Sequence, residues 1–401
     1  MARWAAADRS LGRAAPPFLA YGALLVAGVL WSRDPDRVVT AGTEYAKDLV
    51  LVVVLLAVVT CGRTLRGAIW GLVGAALALA SLSVVQYATG DFDRDFFGFA
   101  QSGVQNIVGT RDDVRLAGPV GDPNYYALML VAVVPLAVEL AFRTRGWARA
   151  VALLAAVASV AAILLTFSRG AVLGLGVALV SMLWRHRPSA RAVAAVALAG
   201  VCALALSPAD WVARLEAVPQ AVAALTGDQP DDAAIGGRAS EFKVGIEMWL
   251  DHPLLGVGRG GYPPRYQDYS TDLGLDPRRE ERQPHSLPVE VLAEQGVVGV
   301  VVFGGLLIGA FRSLVVARRR LVAAGGRTTA RDTVALLGAL ETALLAYLAT
   351  SLFLHLTFPR VLWMLVALAY AAPEVARAVV GPPGVDDAAG RGRAELAGVA
   401  P

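Results

Sequence analysis

Long apolar runs alternate with short polar segments along the whole chain. A helix needs about 20 apolar residues in succession to cross a bilayer, and ten segments approach that length. They lie near residues 16–32, 46–61, 66–88, 123–142, 148–166, 170–184, 191–207, 286–311, 332–353 and 357–373. This pattern predicts an all-α fold, a polytopic transmembrane helical bundle of about ten spans.

Composition supports a membrane protein. Of the 401 residues, 56% are hydrophobic and 17% are charged, whereas a soluble chain carries roughly 25% charged residues. The basic charge comes almost wholly from arginine, because Lys47 and Lys243 are the two lysines of the sequence. These arginines lie between apolar runs, which favours a role in membrane orientation. We therefore expect the membrane and no nucleic acid as a partner.

Arginines concentrate in alternate loops between the predicted spans. Those loops contain Arg63 and Arg66; Arg143, Arg145 and Arg149; Arg185, Arg187 and Arg191; and six arginines between residues 312 and 331. The other loops are neutral or acidic; residues 89–121 carry five aspartates against three arginines. Because loops rich in Lys and Arg stay in the cytoplasm, both termini are predicted to be cytoplasmic.

One segment on the predicted outer side is much longer than the other connections. The chain therefore divides into spans one to seven (1–207), a large extracytoplasmic loop (208–285), spans eight to ten (286–380) and a disordered cytoplasmic tail (381–401). Two amphipathic helices are predicted in the loop, near 210–225 and 238–251. The second places Phe242, Ile246, Trp249 and Leu250 on one apolar stripe.

Two arginines on the outer side are candidates for binding an anion. Arg169 lies in the tight turn between two spans; it either extends to lipid phosphates from a structural position or clamps a phosphate through its guanidinium fork. Arg238 follows two glycines and is predicted to open the second loop helix. It is either an ordinary exposed charge or part of an anion site at the helix start.

His285 stands just before the eighth predicted span, with Ser286 as the expected N-cap of the helix. A lone histidine is usually structural, but one at the membrane surface can also act as a base. Glu290 and Glu294 lie four residues apart and share one helix face. Acids in a span seldom face lipid, so we expect them to point into the bundle, toward an arginine or toward His285.

Further motifs carry weaker signals. In GDPNYYALML (121–130) the pattern predicts a helix start with Asp122 as N-cap, and we assign supporting roles to Asp122 and Asn124. The closely spaced glycines of HPLLGVGRGG (252–261) follow no strand, so nucleotide binding is not expected. Four histidines spread over the chain do not predict a metal site.

Four motifs succeed one another on the predicted outer face. They are GDPNYYA, TFSRGA, Arg238 followed by DHPLLGVGRGGY, and PHSLPVEVLAEQGVVG. In this order they resemble the O-antigen ligase and polymerase family, which are membrane glycosyltransferases of bacterial surface polysaccharide assembly. The resemblance runs from about residue 118 to about residue 312.

The resemblance implies a specific activity in the bacterial plasma (inner) membrane. A glycan passes from a polyprenyl-pyrophosphate carrier, such as undecaprenyl pyrophosphate, to a hydroxyl of a lipid or glycan acceptor, with inversion and without metal or other cofactor. It also implies that Arg169 and Arg238 hold the pyrophosphate and that His285 is the base. Glu290 or Glu294 would orient the imidazole or pair with an arginine.

Two alternatives share part of these features. A secondary transporter would have a similar number of spans and buried acids, and an inactive scaffold of a polysaccharide assembly complex would keep the same fold. The sequence does not separate ligation from polymerisation, because both use the same donor and differ in the acceptor.

Overall fold

The structure is a computed structural model that describes residues 2–108, 111–191, 193–194, 233–275, 281–325, 328–355 and 360–381. These residues form eleven α-helices and one two-stranded sheet. The helices are α1 (Ala2–Ala27), α2 (Pro35–Val58), α3 (Gly62–Thr89), α4 (Pro123–Arg143), α5 (Gly146–Leu165), α6 (Arg169–His186), α7 (Ala233–Asp251), α8 (Tyr262–Asp272), α9 (Leu287–Ala323), α10 (Thr328–Thr350) and α11 (Arg360–Val380), and the strands are β1 (Gln101–Val108) and β2 (Arg111–Gly118).

Seven helices in the described ranges are long and apolar enough to cross a membrane, namely α1, α3, α4, α5, α9, α10 and α11. Helices α2 and α6 form where the hydropathy pattern predicts spans, but they are not among these seven. The predicted span at 191–207 lies mostly outside the described residues. The polytopic helical fold is therefore confirmed, whereas the count of about ten spans stays a prediction.

A short β-hairpin accompanies the otherwise all-α fold. Residues 89–121, expected to be a loop, contain β1 and β2, which pair antiparallel with Val104 opposite Val114 and Gly103 opposite Arg115. Leu116 and Arg115 are both buried, and β2 lies against the start of α4. The hairpin therefore packs on the end of the bundle at which α4 begins.

The large loop also differs from the prediction. Helix α7 begins at Ala233, so Arg238 lies inside the helix and does not open it. The side of α7 that packs on the protein carries Val244 and Met248. In the predicted apolar stripe, Phe242 and Leu250 are exposed instead. Helix α8 has no counterpart in the prediction, and the predicted helix at 210–225 lies outside the described residues.

Helix α9 is interrupted at Gly296, whose φ of 63° and ψ of −163° are not helical. The glycine-rich segment after α7 crosses this interruption and satisfies the backbone groups that the helix leaves open. The four hydrogen bonds are Val297 N–H to Pro253 O (2.9 Å), Val298 N–H to Leu254 O (3.1 Å), Val257 N–H to Ala293 O (2.9 Å) and Gly258 N–H to Glu294 O (2.9 Å). The loop is thus fixed to the eighth predicted span by its backbone.

Helix α4 lies at the centre of the bundle, against α5, α6 and α10, and most of its residues are buried. Small residues allow the close approach of these helices: a Cβ on Gly174 of α6 would overlap with Thr350 at the end of α10. Inside a membrane the hydrophobic effect does not drive helices together, so close packing of this kind holds them together instead. The start of α4, which carries the GDPNYY motif, is therefore held on a rigid element.

Candidate active site

The hairpin brings Arg115 between the end of α5 and the start of α4. Its Nε donates to the carbonyl of Thr166 at 2.8 Å, and its Nη2 donates to Oδ1 of Asn124 at 3.2 Å. These bonds join the hairpin to the end of α5 and to the start of α4. Arg115 is 6% exposed, so a nearby anion would meet little competition from water.

Arg115 lies close to both arginines that the sequence singles out. Burial lowers the pKa of the Arg115 guanidinium to about 10. The carboxylate of Asp122 raises this pKa, whereas the like charges of Arg238 and Arg169 lower it further. Arg169 of α6 and Arg238 of α7 are therefore each within electrostatic range of Arg115 on β2. Such a group of like charges, here called the arginine cluster, is suited to bind a polyanion.

The start of α4 supports this arginine cluster. Asp122 is the N-cap of α4, as expected, and its Oδ1 accepts the amides of Asn124 and Tyr125 at 2.8 and 3.0 Å. The cap fixes the first turn of the helix. Asn124 can then present its side-chain oxygen to Arg115. The hydroxyl of Tyr125 lies on the other side, next to His355.

His285 lies directly before α9 with a φ of 39°, a left-handed conformation that is uncommon outside glycine. Its Nδ1 is 2.8 Å from Oε2 of Glu241 and 3.0 Å from the carbonyl oxygen of Gln283. Both neighbours are hydrogen-bond acceptors, so Nδ1 carries the proton and the neutral ring has its lone pair on Nε2. Ser286 occupies the N-cap position without a side-chain capping bond.

Glu241 links the histidine to the arginine cluster. It is buried on α7, three residues after Arg238, and therefore on the same side of that helix. Its Oε1 lies 3.6 Å from Nη1 of Arg282, and its backbone carbonyl accepts the hydroxyl of Tyr262 at 2.6 Å. These contacts hold the carboxylate that orients His285.

A second histidine stands beside the first. The ring centroids of His285 and His355 are 5.3 Å apart in an edge-to-face arrangement. Nδ1 of His355 is 2.7 Å from the hydroxyl of Tyr125. Burial lowers the pKa of His355 well below its ordinary value, and the charges of His285 and Arg259 lower it further. His355 is therefore a neutral neighbour of His285 at neutral pH.

Glu290 and Glu294 point into the protein, and their partner is Arg259. Nη1 of Arg259 forms ion pairs with Oε1 of Glu290 and, at 2.8 Å, with Oε2 of Glu294. The amide of Tyr262 donates to Glu294 at 3.2 Å. Of the two expected partners, an arginine is thus the one observed. These side chains line a cavity of about 350 Å³ that His355 and Arg37 also border.

Four residues of this site are not identified by the sequence patterns: Arg115, Tyr125, Glu241 and Arg259. Glu241 lies one helical turn from Arg238. This spacing alone does not distinguish it from the other acids of the loop. Arg259 is the charged residue within the closely spaced glycines of HPLLGVGRGG. Those glycines permit the contact with α9, because a Cβ on Gly256 would overlap with the backbone at Glu294.

Comparison with known proteins identifies one family. Residues 154–304 match the family model described as O-antigen ligase. The matched segment runs from α5 to α9 and contains Arg169, Arg238 and His285. The matched segment covers less than half of the chain. Within this segment the resemblance predicted from the sequence is confirmed. A search of curated proteins finds no match to the chain.

Proposed function

We propose that the chain transfers a glycan from a polyprenyl-pyrophosphate carrier to an acceptor hydroxyl on the outer side of the bacterial plasma membrane. The observation that carries this proposal is the hydrogen bond of His285 to Glu241, one helical turn from Arg238, which together with Arg169 lies within electrostatic range of Arg115. The match to the O-antigen ligase family supports a role in surface polysaccharide assembly. The arginine distribution supports cytoplasmic termini and an extracytoplasmic site.

The reaction is a displacement at the anomeric carbon of the sugar. Nε2 of His285 takes the proton of the acceptor hydroxyl, and the oxygen lone pair forms a bond to that carbon. The bond between the carbon and the pyrophosphate oxygen breaks, and its electron pair leaves with the phosphate. A single displacement of this kind inverts the anomeric configuration.

The arginine cluster stabilises the leaving group. Negative charge grows on the bridging oxygen as the bond breaks, and donors that are already in place lower the energy of that state. Guanidinium groups bind phosphate oxygens in a fork and stay charged across the working pH range. Three such groups supply the charge that a divalent cation supplies in other phosphate sites, which is the basis for proposing a metal-independent reaction.

Glu241 is a positioning residue in this mechanism. Its carboxylate holds the Nδ1 proton of His285, keeps the Nε2 lone pair available and stabilises the imidazolium after proton transfer. The same arrangement of carboxylate, imidazole and hydroxyl operates in catalytic triads. Arg282 balances the charge of Glu241 from the opposite side.

The two buried acids, Glu290 and Glu294, do not favour a transport function. Glu290 and Glu294 both pair with Arg259 of the loop, so they are accounted for as the attachment of that loop to α9. The acceptor, a lipid or the next glycan repeat, determines whether the chain ligates or polymerises.

Purified protein in proteoliposomes tests this proposal with a lipid-linked oligosaccharide as donor. With a separate acceptor lipid, a ligase gives one transfer per acceptor; a polymerase gives a ladder of products from the donor alone. NMR of the product should show inversion at the newly linked sugar, and EDTA should leave the rate unchanged. Retention of configuration, loss of activity in EDTA or absence of any transfer would contradict the mechanism.

A further inference from the structure

A lateral groove runs along the bundle from Val172, one helical turn from Arg169, to Arg187, at the end opposite the candidate active site. It occupies about 880 Å³ between α6 and α10. Apolar side chains line most of it, among them Val172, Val177, Val180 and Leu345. Leu173 and Val180 are exposed along α6. The groove has the length and character to hold a hydrocarbon chain that lies along the two helices.

The apolar groove ends in a basic pocket. A second cavity, of about 470 Å³, adjoins the first, and Arg185 and Arg318 line both. Arg143, Arg331 and His186 border the second cavity as well. Arg185 is in the last turn of α6 and Arg318 in the last turns of α9. This end of both helices is the one that the arginine distribution assigns to the cytoplasm.

The acids near this pocket do not balance its arginines. Glu139 is buried and contacts two arginines and a histidine: Arg143 at 2.9 Å, Arg185 at 3.3 Å and His186 at 2.9 Å. Glu341 pairs with Arg318, and Asp332 lies 3.7 Å from Arg143.

The arginines along the two cavities are Arg143, Arg185, Arg187, Arg318 and Arg331. Five arginines against three acids leave two positive charges in excess.

The junction of the two cavities also has unused hydrogen-bond donors. In the part of the chain that the structure describes, the Nε atoms of Arg185 and Arg318 are buried and have no hydrogen-bond partner. Buried donors without a partner are costly, and phosphate oxygens are the acceptors that guanidinium groups bind most readily. A Cβ on Gly338 of α10 would overlap with Arg185, so the small residue keeps the guanidinium group at this junction.

We propose that this groove binds one anionic phospholipid of the cytoplasmic leaflet. The phosphate lies between Arg185 and Arg318, and an acyl chain runs in the apolar groove along α6 and α10. A basic pocket that continues into an apolar groove between transmembrane helices is complementary to both parts of such a lipid. The site is separate from the arginine cluster of the outer face and does not depend on the proposed glycan transfer.

Native mass spectrometry of the full chain tests the proposal. Protein in detergent is titrated with phosphatidylglycerol or with phosphatidylcholine, and the lipid-bound fraction is measured. We expect preferential binding of phosphatidylglycerol, and an affinity about 30-fold lower in the double variant R185Q/R318Q, which removes two charges next to the phosphate. The control R145Q/R149Q removes two exposed charges from the same predicted side and should bind as the wild type does.

A second variant tests the acyl groove without any change of charge. Gly176 lines the groove and has open space where a side chain would begin, so G176L fills the groove and should weaken phosphatidylglycerol binding. Inorganic phosphate, used as a competitor, should not displace the lipid. Equal binding of the two lipids, wild-type binding by both R185Q/R318Q and G176L, or full displacement by phosphate would overturn the proposal.

Discussion

At the scale of single residues, the site depends on which nitrogen of His285 carries the proton. Two acceptors, the carboxylate of Glu241 and the carbonyl of Gln283, both face Nδ1. The neutral ring therefore has one available tautomer, with the basic nitrogen on the opposite side. An isolated histidine exchanges between two tautomers, so Glu241 converts a common residue into an oriented base.

We expect Glu241→Gln to lower kcat for glycan transfer by about 10²-fold, the lower end of what general base catalysis contributes. The amide preserves the size of the side chain but removes the charge that stabilises the imidazolium. KM for the lipid-linked donor should change little, because the arginine cluster is intact. The matched control is Glu247→Gln, the same substitution on the same helix, which should keep wild-type kinetics. A rise in KM with unchanged kcat would show that Glu241 acts in donor binding instead.

His355 should make the stability of the protein sensitive to mild acid. Its pKa is lowered by burial and by the charges of His285 and Arg259, so the folded protein resists protonation that the unfolded chain accepts near pH 6.5. The unfolded state then binds more protons, and stability falls as the pH drops below about 6.5. The Tm of the purified protein should decrease from pH 7 to pH 5, and less so in His355→Gln. Exposed His252→Gln should keep the wild-type slope; equal slopes in all three proteins would contradict this explanation.

At the scale of elements, the interruption of α9 positions the site. A continuous helix would offer no open backbone groups, and the segment from Pro253 to Gly258 could not attach to it. Attachment brings Arg259 onto Glu290 and Glu294, and it also positions α7, which precedes the same segment. The glycines of this segment thus allow its close contact with α9.

Gly296→Ala should therefore destabilise the protein strongly. Alanine disfavours the positive φ, and its Cβ would overlap with the Leu254 carbonyl. Backbone strain of this kind alone costs about 1–3 kcal/mol. The control is Gly304→Ala on the same helix, where the added Cβ meets open space and alanine is the better helix former. Thermal unfolding followed by circular dichroism in detergent compares the two; equal Tm values would mean that the interruption is not required.

At the scale of the whole molecule, local sequence patterns predict the spans but not the contacts between them. Apolar runs such as 123–142 and 332–353 identify spans because a bilayer demands a fixed apolar length. The hairpin at 101–118 is not predicted because its residues are largely polar and lie in a connection between two spans. The pairing of Glu294 with Arg259 is not predicted either, since 35 residues and a loop of unknown path separate them. Contacts between segments that are distant in the sequence can be identified only from the three-dimensional structure.

The two ends of the molecule have different roles in the proposed functions. In these proposals one end uses Arg115, Arg169, Arg238 and His285 for the chemistry, and the opposite end holds a lipid phosphate between Arg185 and Arg318. The helical bundle connects them without a shared residue. Variants of one end should therefore leave the other intact, which allows each proposal to fail independently.

The most direct test of the central claim is the initial rate at which the protein releases polyprenyl pyrophosphate from a lipid-linked oligosaccharide in the presence of acceptor. We predict that His285→Ala and Arg169→Ala each lower this rate by at least about 10²-fold. Their Tm values should stay within a few degrees of wild type, so that lost activity does not reflect lost folding. Wild-type rates in both folded variants would contradict the assignment of His285 as the base and Arg169 as a ligand of the leaving group.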